Sequence, residues 1–361
     1  MDEVKSLIDF LKIYSPSGKE REAVIFLKDL LNDLGIDSKI DHRGNLLAKI
    51  EGNETKVLLC GHIDTVKGKI PMKIDEEYIQ ARGSVDAKSS LLALIFATYK
   101  IIKKNDHPTI HLACVVGEES EDPGFQYIHC DFLNVDYAIF GEPSNANGIT
   151  IGYKGRISFI VEIIDSSLHA SSKYYNSIKK ASSLILELNK LENKYSSKSL
   201  FNSLTINPVK IKAGNSTNVH PKKCEIFFDV RIPPSLSIEE VYNEIKNIIK
   251  NKIKNLHFKF KLLSKINPVL INKNDYLVKI FKKSIAKNLK TQPKLILKTG
   301  TSDMNYFVEM FEKSCISYGP GDPNIEHTDN EKVSIKEYLK SIDVIAYALQ
   351  LLNKDLNNAR E

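Results

Sequence analysis

The chain has 361 residues, 42% hydrophobic and 27% charged, an ordinary globular composition long enough for two domains. No apolar run reaches the ~20 residues that span a bilayer, the acidic start MDEVKSLIDFLKIY is no signal peptide, and the five cysteines (60, 114, 130, 224, 315) are odd in number and unpaired in spacing, so a cytoplasmic protein with reduced thiols and no membrane partner is expected. The net charge of +6 comes from lysine without an aromatic-basic motif, which argues against nucleic acid and favours a solvated surface able to steer an acidic partner.

Val4, Leu7, Ile8 and Leu11 keep helical spacing, and Ser15-Pro16-Ser17-Gly18 ends that helix. A second helix follows, with Ser17 and Glu20 as its capping box, an apolar face from Ala23 to Leu34, and a stop at Gly35. Strands are expected at 38–40, 46–50, 57–60, 110–116 and 135–140, with a helix over 89–102. Strands that are apolar throughout and alternate with helices imply an α/β sheet covered on both faces.

Past Gly152 the pattern changes. Strands at 157–163, 204–209, 224–231 and 256–262 and helices over 176–191 and 237–249 follow the order βαββαβ, a ferredoxin-like α+β unit. The α/β pattern then returns, with a helix over 276–288, short strands at 295–297 and 314–318, a final helix from 334 to about 352, and a frayed tail over 353–361. The expected architecture is an α/β domain over 1–152 and 267–361, with a mixed, largely parallel sheet, and an inserted domain over 153–266.

Three apolar strands end in acids: His62-Ile63-Asp64, Glu118-Glu119 and Gly141-Glu142-Pro143. Ligands of open α/β sheets sit beyond the carboxyl ends of the strands, so these groups can converge. Each alone has an ordinary explanation, namely a local hydrogen bond, a solvated acidic turn or a tight turn; only their joint placement favours a site. With Asp86 and the loop residue His327, the donors are two imidazoles and three carboxylates, which suit Zn2+, Co2+ or Mn2+ rather than Ca2+ or Mg2+. Five ligands exceed one catalytic zinc with an open position and fit two ions sharing a carboxylate, with the central Asp86 as the expected bridge. Two adjacent acids do not easily both ligate, so Glu118 is left as a general base. His42, His107, His111, His129 and His257 lack such settings and read as structural or surface residues.

These motifs resemble the dinuclear zinc aminoacylase/carboxypeptidase family over nearly the whole chain: Gly61-His62-Ile63-Asp64, Arg82-Gly83-Ser84-Val85-Asp86-Ala87-Lys88, Glu118-Glu119, Gly141-Glu142-Pro143 and His327-Thr328. The resemblance implies a zinc-peptidase-like fold and a metal-dependent hydrolase of C–N bonds in linear amides, with two divalent cations, Zn2+ first. It implies His62 and Glu142 on one ion, Glu119 and His327 on the other, Asp86 between them, Asp64 orienting His62, and a cis peptide after Asp86. The inserted domain would make a homodimer and send His169 to the partner's active site. Asn218, Arg231, Gly300, Thr301 and Ser302 would contact substrate. Lys67, Ala81 and Ser89 depart from the family pattern without touching a ligand. Gly152-Tyr153-Lys154-Gly155-Arg156 and Thr299-Gly300-Thr301-Ser302-Asp303 look most like the branch that frees lysine or ornithine from an acidic LysW-type amino-group carrier protein. The alternatives are a deacylase of small N-acyl amino acids, such as acetylornithine or succinyl-diaminopimelate, or a dipeptidase; a non-catalytic binding protein fits the complete donor set poorly.

Overall fold

The computed structural model describes residues 2–104, 106–166, 168–173, 176–253 and 257–358. The chain divides into two compact units, one of Met1–Ile151, Ile271–Ile296 and Ser302–Glu361, the other of Gly152–Leu270 and Leu297–Thr301.

In the first unit the main sheet runs, in spatial order, Lys39–Ile40, Leu46–Ile50, Pro108–Val115, Asn53–His62, Tyr137–Phe140, Ser314–Ser317 and Gly148–Tyr153. From Pro108–Val115 to Ser314–Ser317 neighbours are parallel, and the outer pairings are antiparallel. Cys60 faces both Ala113 and Phe140, so three parallel strands end nearly level. Their middles are fully buried, Val57, Leu58, Leu59 and Cys60 among them, as a sheet covered on both faces requires. The helix Lys88–Ile102 is buried on almost every side, between the strand Asn53–His62 and the final helix, which explains its apolar residues on all faces.

The second unit has four antiparallel strands in the order Thr205–Ala213, Lys223–Ile232, Gly155–Ile164 and His257–Ile266, with helices Ser177–Lys194 and Ile238–Lys252. This is the ferredoxin-like βαββαβ arrangement. Cys224, Ile226, Phe228 and Val230 alternate into a core of its own, where the Phe159 ring stacks 4.9 Å from Phe228 and 5.2 Å from Phe260. Leu256, the expected start of the last strand, lies outside the described residues.

Several local expectations are corrected. No capping box starts the second helix: it begins at Arg21 after Glu20, whose carboxylate accepts from the Gly18 amide at 2.8 Å, and Ser17 donates elsewhere. The final helix continues through Asn358 instead of ending near 352, so a tail frayed from 353 is not found; 359–361 lie outside the described residues. The segment after Val66 holds a hairpin, Lys73–Ile74 with Tyr78–Gln80, turned by Asp75 and extended by Lys332–Ser334. The strand Gly148–Tyr153 and the helix Asp303–Phe311 had no expectation; glycines at 148 and 152 hide the first, and the second has only nine residues.

Candidate metal centre

Level strand ends bring the polar groups together. His62 closes the strand Asn53–His62 and is 2% exposed. Its Nδ1 lies 2.9 Å from the Asp64 carbonyl oxygen, with the Asp64 carboxylate at 3.6 Å, and its Nε2 lies 3.1 Å from Asp86 Oδ1. A neutral ring that kept its Nδ1 proton on the carbonyl would turn an Nε2 lone pair toward a cation shared with Asp86. The buried Asp64 carboxylate accepts from the amides of Glu118 (3.0 Å) and Glu119 (3.1 Å) and from Ser17 Oγ (2.7 Å). It thereby ties the end of one parallel strand to the loop leaving its neighbour. Gly117, with φ +70°, makes the turn that delivers both glutamates.

From the far end of the chain, His327 adopts a left-handed φ of +63°, a sparsely populated conformation for a non-glycine residue. Its Nε2 stands 2.8 Å from both Glu119 Oε1 and Asp86 Oδ2. Three groups therefore form, each with ligand atoms within 4.8 Å of one another: His62 with Asp86 and Glu142, Asp86 with Glu119 and His327, and His62 with Glu118 and Glu119. Asp86 belongs to two of them through different oxygens.

The charges are strained toward cation binding. Burial, with Glu142, Asp303 and Glu119 nearby, pushes the Glu118 carboxyl well above its ordinary range, and burial plus the Asp86 charge raises Glu119. Burial also works against Asp86, but hydrogen bonds from His327 and His62 outweigh it and hold that carboxyl far below its usual range. The same contacts, to Asp86 and Glu119, lift His327 to about 11. Crowded acids and imidazoles of this kind fit divalent cations, whose charge offsets the mutual repulsion.

Supporting groups were not legible in the sequence. Glu331, 1% exposed, accepts from the amides of Val85 and Asp86, both at 3.0 Å, and from Arg82 Nη1 at 2.8 Å, fixing the loop that carries Asp86. The Asp86–Ala87 peptide in that loop is cis. Asp303 opens the helix Asp303–Phe311 behind the cap Ser302; it is 5% exposed, burial pushes its carboxyl up to about 7, and Oδ1 meets no hydrogen-bond donor among the described residues. A signal for Glu331 exists only in hindsight, as an acid four residues after His327.

His169, Asn218, Arg231, Gly300 and Thr301 belong to the second unit. There Arg231 Nε donates to Asp229 at 2.6 Å and Nη1 to Thr301 Oγ1 at 3.4 Å, while Asn218 Oδ1 accepts from Ser216 Oγ at 2.7 Å. His169 is exposed, 2.8 Å from Ser171 Oγ, on a short bridge to Val219. Among the described residues no helix is long and apolar enough to cross a membrane, and all five cysteines are free.

The model of peptidase family M20/M25/M40 matches residues 58–351. A Pyrococcus abyssi protein provisionally named LysW-lysine/LysW-ornithine hydrolase is 34% identical, covering 99% of this chain and 96% of its own. The Sulfurisphaera tokodaii LysW-lysine/LysW-ornithine hydrolase is 33% identical, covering 96% and 94%. Among solved structures, the M20 family metallo-carboxypeptidase Sso-CP2 of Sulfolobus solfataricus shares the fold, with a TM-score of 0.84 at 22% identity over 98% of this chain and 100% of its own.

Proposed function

Since the chain belongs to peptidase family M20/M25/M40 and is a metal-dependent hydrolase of amide bonds, we propose that it frees L-lysine, L-ornithine or both from the C-terminal glutamate side chain of an acidic amino-group carrier protein, late in amino-acid biosynthesis in the cytoplasm. The names of the relatives and the lysine-rich surface support this substrate. The observation that carries the chemistry is Asp86, whose two oxygens face two separate donor groups. His62 and Glu142 would hold one ion, Glu119 and His327 the other, and Asp86 both, with Zn2+ as the first choice.

Divalent cations held there supply Lewis acidity to the scissile carbonyl and the attacking water. Glu118, whose burial raises its proton affinity, takes the water's proton and passes it to the departing amine nitrogen as the C–N bond breaks. Asp64 and Glu331 hold the chain that positions these groups. Arg231, Thr301 and Asn218, with Gly300 and Ser302, are the groups for substrate, and His169 of a partner subunit stabilises the oxyanion. The strand Thr205–Ala213, at the edge of its sheet with Val209 63% and Ile211 53% exposed, supports a homodimer formed through the second unit.

Purified enzyme assayed on carrier-lysine, carrier-ornithine, acetylornithine, succinyl-diaminopimelate and a dipeptide tests the substrate. Carrier-bound amino acids should give the highest kcat/KM; preference for a small amide overturns that reading. Metal analysis should find two ions per chain, and a stoichiometry of one with full activity overturns the paired centre.

A further inference from the structure

Glu118 and Glu119 ride on a loop, residues 117–123, whose first acidic pair has its amides tied to Asp64. Those bonds leave the base of the loop and its exposed tip, residues 120–122, to be held by other groups. Both tasks fall to the turn 41–45, which leads into the strand Leu46–Ile50. That strand pairs antiparallel with Pro108–Val115, Leu46 opposite Cys114, so register sets Asn45 beside the strand end from which the loop departs.

Asn45 is fully buried, and every hydrogen-bonding position of its carboxamide is used. Its Oδ1 accepts from the Val116 amide at 3.0 Å, while Nδ2 donates to the Gly124 carbonyl at 2.9 Å and to Asp41 Oδ2 at 2.8 Å. The Gly124 amide donates to the Val116 carbonyl at 2.7 Å. One side chain thus bridges both ends of the loop. Asp41 Oδ1 anchors the turn in its own right, accepting from the amides of Arg43 (2.8 Å), Gly44 (2.9 Å) and Asn45 (2.9 Å). At the tip, the Arg43 guanidinium donates to the Asp122 carbonyl at 2.9 Å and to its carboxylate, which also accepts from Tyr127 Oη at 2.7 Å.

The residue type follows from these contacts. At this length only asparagine supplies one accepting oxygen and two donated hydrogens. Aspartate would set an oxygen against the Gly124 carbonyl and the Asp41 carboxylate. Gly124 carries an independent mark of the same close approach, since a Cβ there would stand 2.4 Å from Asn45 Oδ1 and 2.6 Å from the Val116 carbonyl oxygen. Fully satisfied buried networks rigidify what they join, and a misplacement of roughly 1 Å beside reacting groups can cost about a hundredfold in rate.

We propose that Asn45 is a positioning residue for the hydrolysis: its carboxamide closes the loop and so sets where Glu118 and Glu119 stand. The proposal rests on the reading of Glu118 as base and Glu119 as metal ligand.

The metal-loaded enzyme is compared with Asn45→Asp and Asn45→Ala, each assayed well below its melting temperature on whichever of the substrates above the wild type cleaves fastest. In both variants kcat should fall about 30-fold with KM within about twofold of wild type. The visible absorption of the Co2+-loaded enzyme should change as well, because Glu119 moves against its ion. A residue that only stabilised the fold would lower the melting temperature and leave kcat and the Co2+ spectrum in place, and that result overturns the proposal. If neither variant folds, Arg43→Ala at the exposed tip carries the test: kcat should drop about threefold with KM held, and a wild-type kcat overturns the proposal. Glu118→Gln run beside them separates the two readings. If it is inactive while the Asn45 variants keep wild-type kcat and spectrum, the positioning role falls and the base stands. If it is active, the base reading falls, and Asn45 is judged on the Co2+ spectrum, where a change supports its role and none overturns it.

Discussion

In the proposed mechanism Glu118 does chemistry, whereas Glu331 holds the loop that carries Asp86, so their variants should fail differently. Replacing Glu118 by Gln keeps volume and hydrogen bonding but removes the base, so kcat should fall by about 10³-fold with metal content unchanged, read by initial rates beside elemental analysis. A residual rate near wild type would move the base to another acid of the centre, such as Glu119 or Asp303. Glu331→Ala instead strands the amides of Val85 and Asp86 and the Arg82 guanidinium. Breaking one side of a buried ion pair costs about 3 kcal/mol, so thermal unfolding should shift down by several degrees and metal affinity should fall with it. Glu331→Gln, which keeps an acceptor, should recover part of both. The candidate donors were legible because His-x-Asp, Glu-Glu and Gly-Glu-Pro each end an apolar strand. Glu331 was not, because its partners lie more than 240 positions back in the chain and only the folded loops bring them to it. The Asp64 carboxylate, read as a partner of His62, also holds the amides of Glu118 and Glu119, again a contact that only strand register makes.

Elements were legible in proportion to the apolar surface they bury. The strands Asn53–His62 and Pro108–Val115 are buried over most or all of their length and read directly as strands, while the hairpin Lys73–Ile74 with Tyr78–Gln80 buries only Ile79 and left no pattern. The turn between the strands Gly148–Tyr153 and Gly155–Ile164 carries a testable exception to the rule that lysines stay in water. Lys154 is fully buried, its Nζ donating to the Leu200 carbonyl at 3.2 Å, and burial, then the Arg231 charge, depresses its pKa to about 8. An unfolded lysine titrates near 10.4, at about the model-peptide value. Between those two values the unfolded chain binds the extra proton, so this group makes stability rise with pH across that window and adds no slope below it. Lys154→Met removes the term. Denaturant unfolding from pH 7.5 to 10.5 should therefore show a shallower rise in the variant than in the wild type, and parallel curves would mean that Lys154 is neutral-to-charged alike in both states.

At the scale of the whole molecule, two units were legible because the order of elements changes from βα repeats to βαββαβ and back, a signal independent of any one residue. Net charge is the other global property the sequence exposes, and it makes a prediction about rate rather than fold. A chain of +6 meeting an acidic carrier is drawn in over distances set by the Debye length, roughly 10 Å at 0.1 M salt and 3 Å at 1 M. Steering of this kind acts on encounter and not on bond cleavage. Raising NaCl from 0.05 to 0.5 M should thus lower kcat/KM for carrier-lysine about tenfold through KM, leave kcat in place, and leave both constants for γ-glutamyl-lysine nearly level. The small substrate controls for salt acting on the metal centre itself: if both substrates slow together, the ions or the fold are responding, and long-range attraction between enzyme and carrier is not what brings them together.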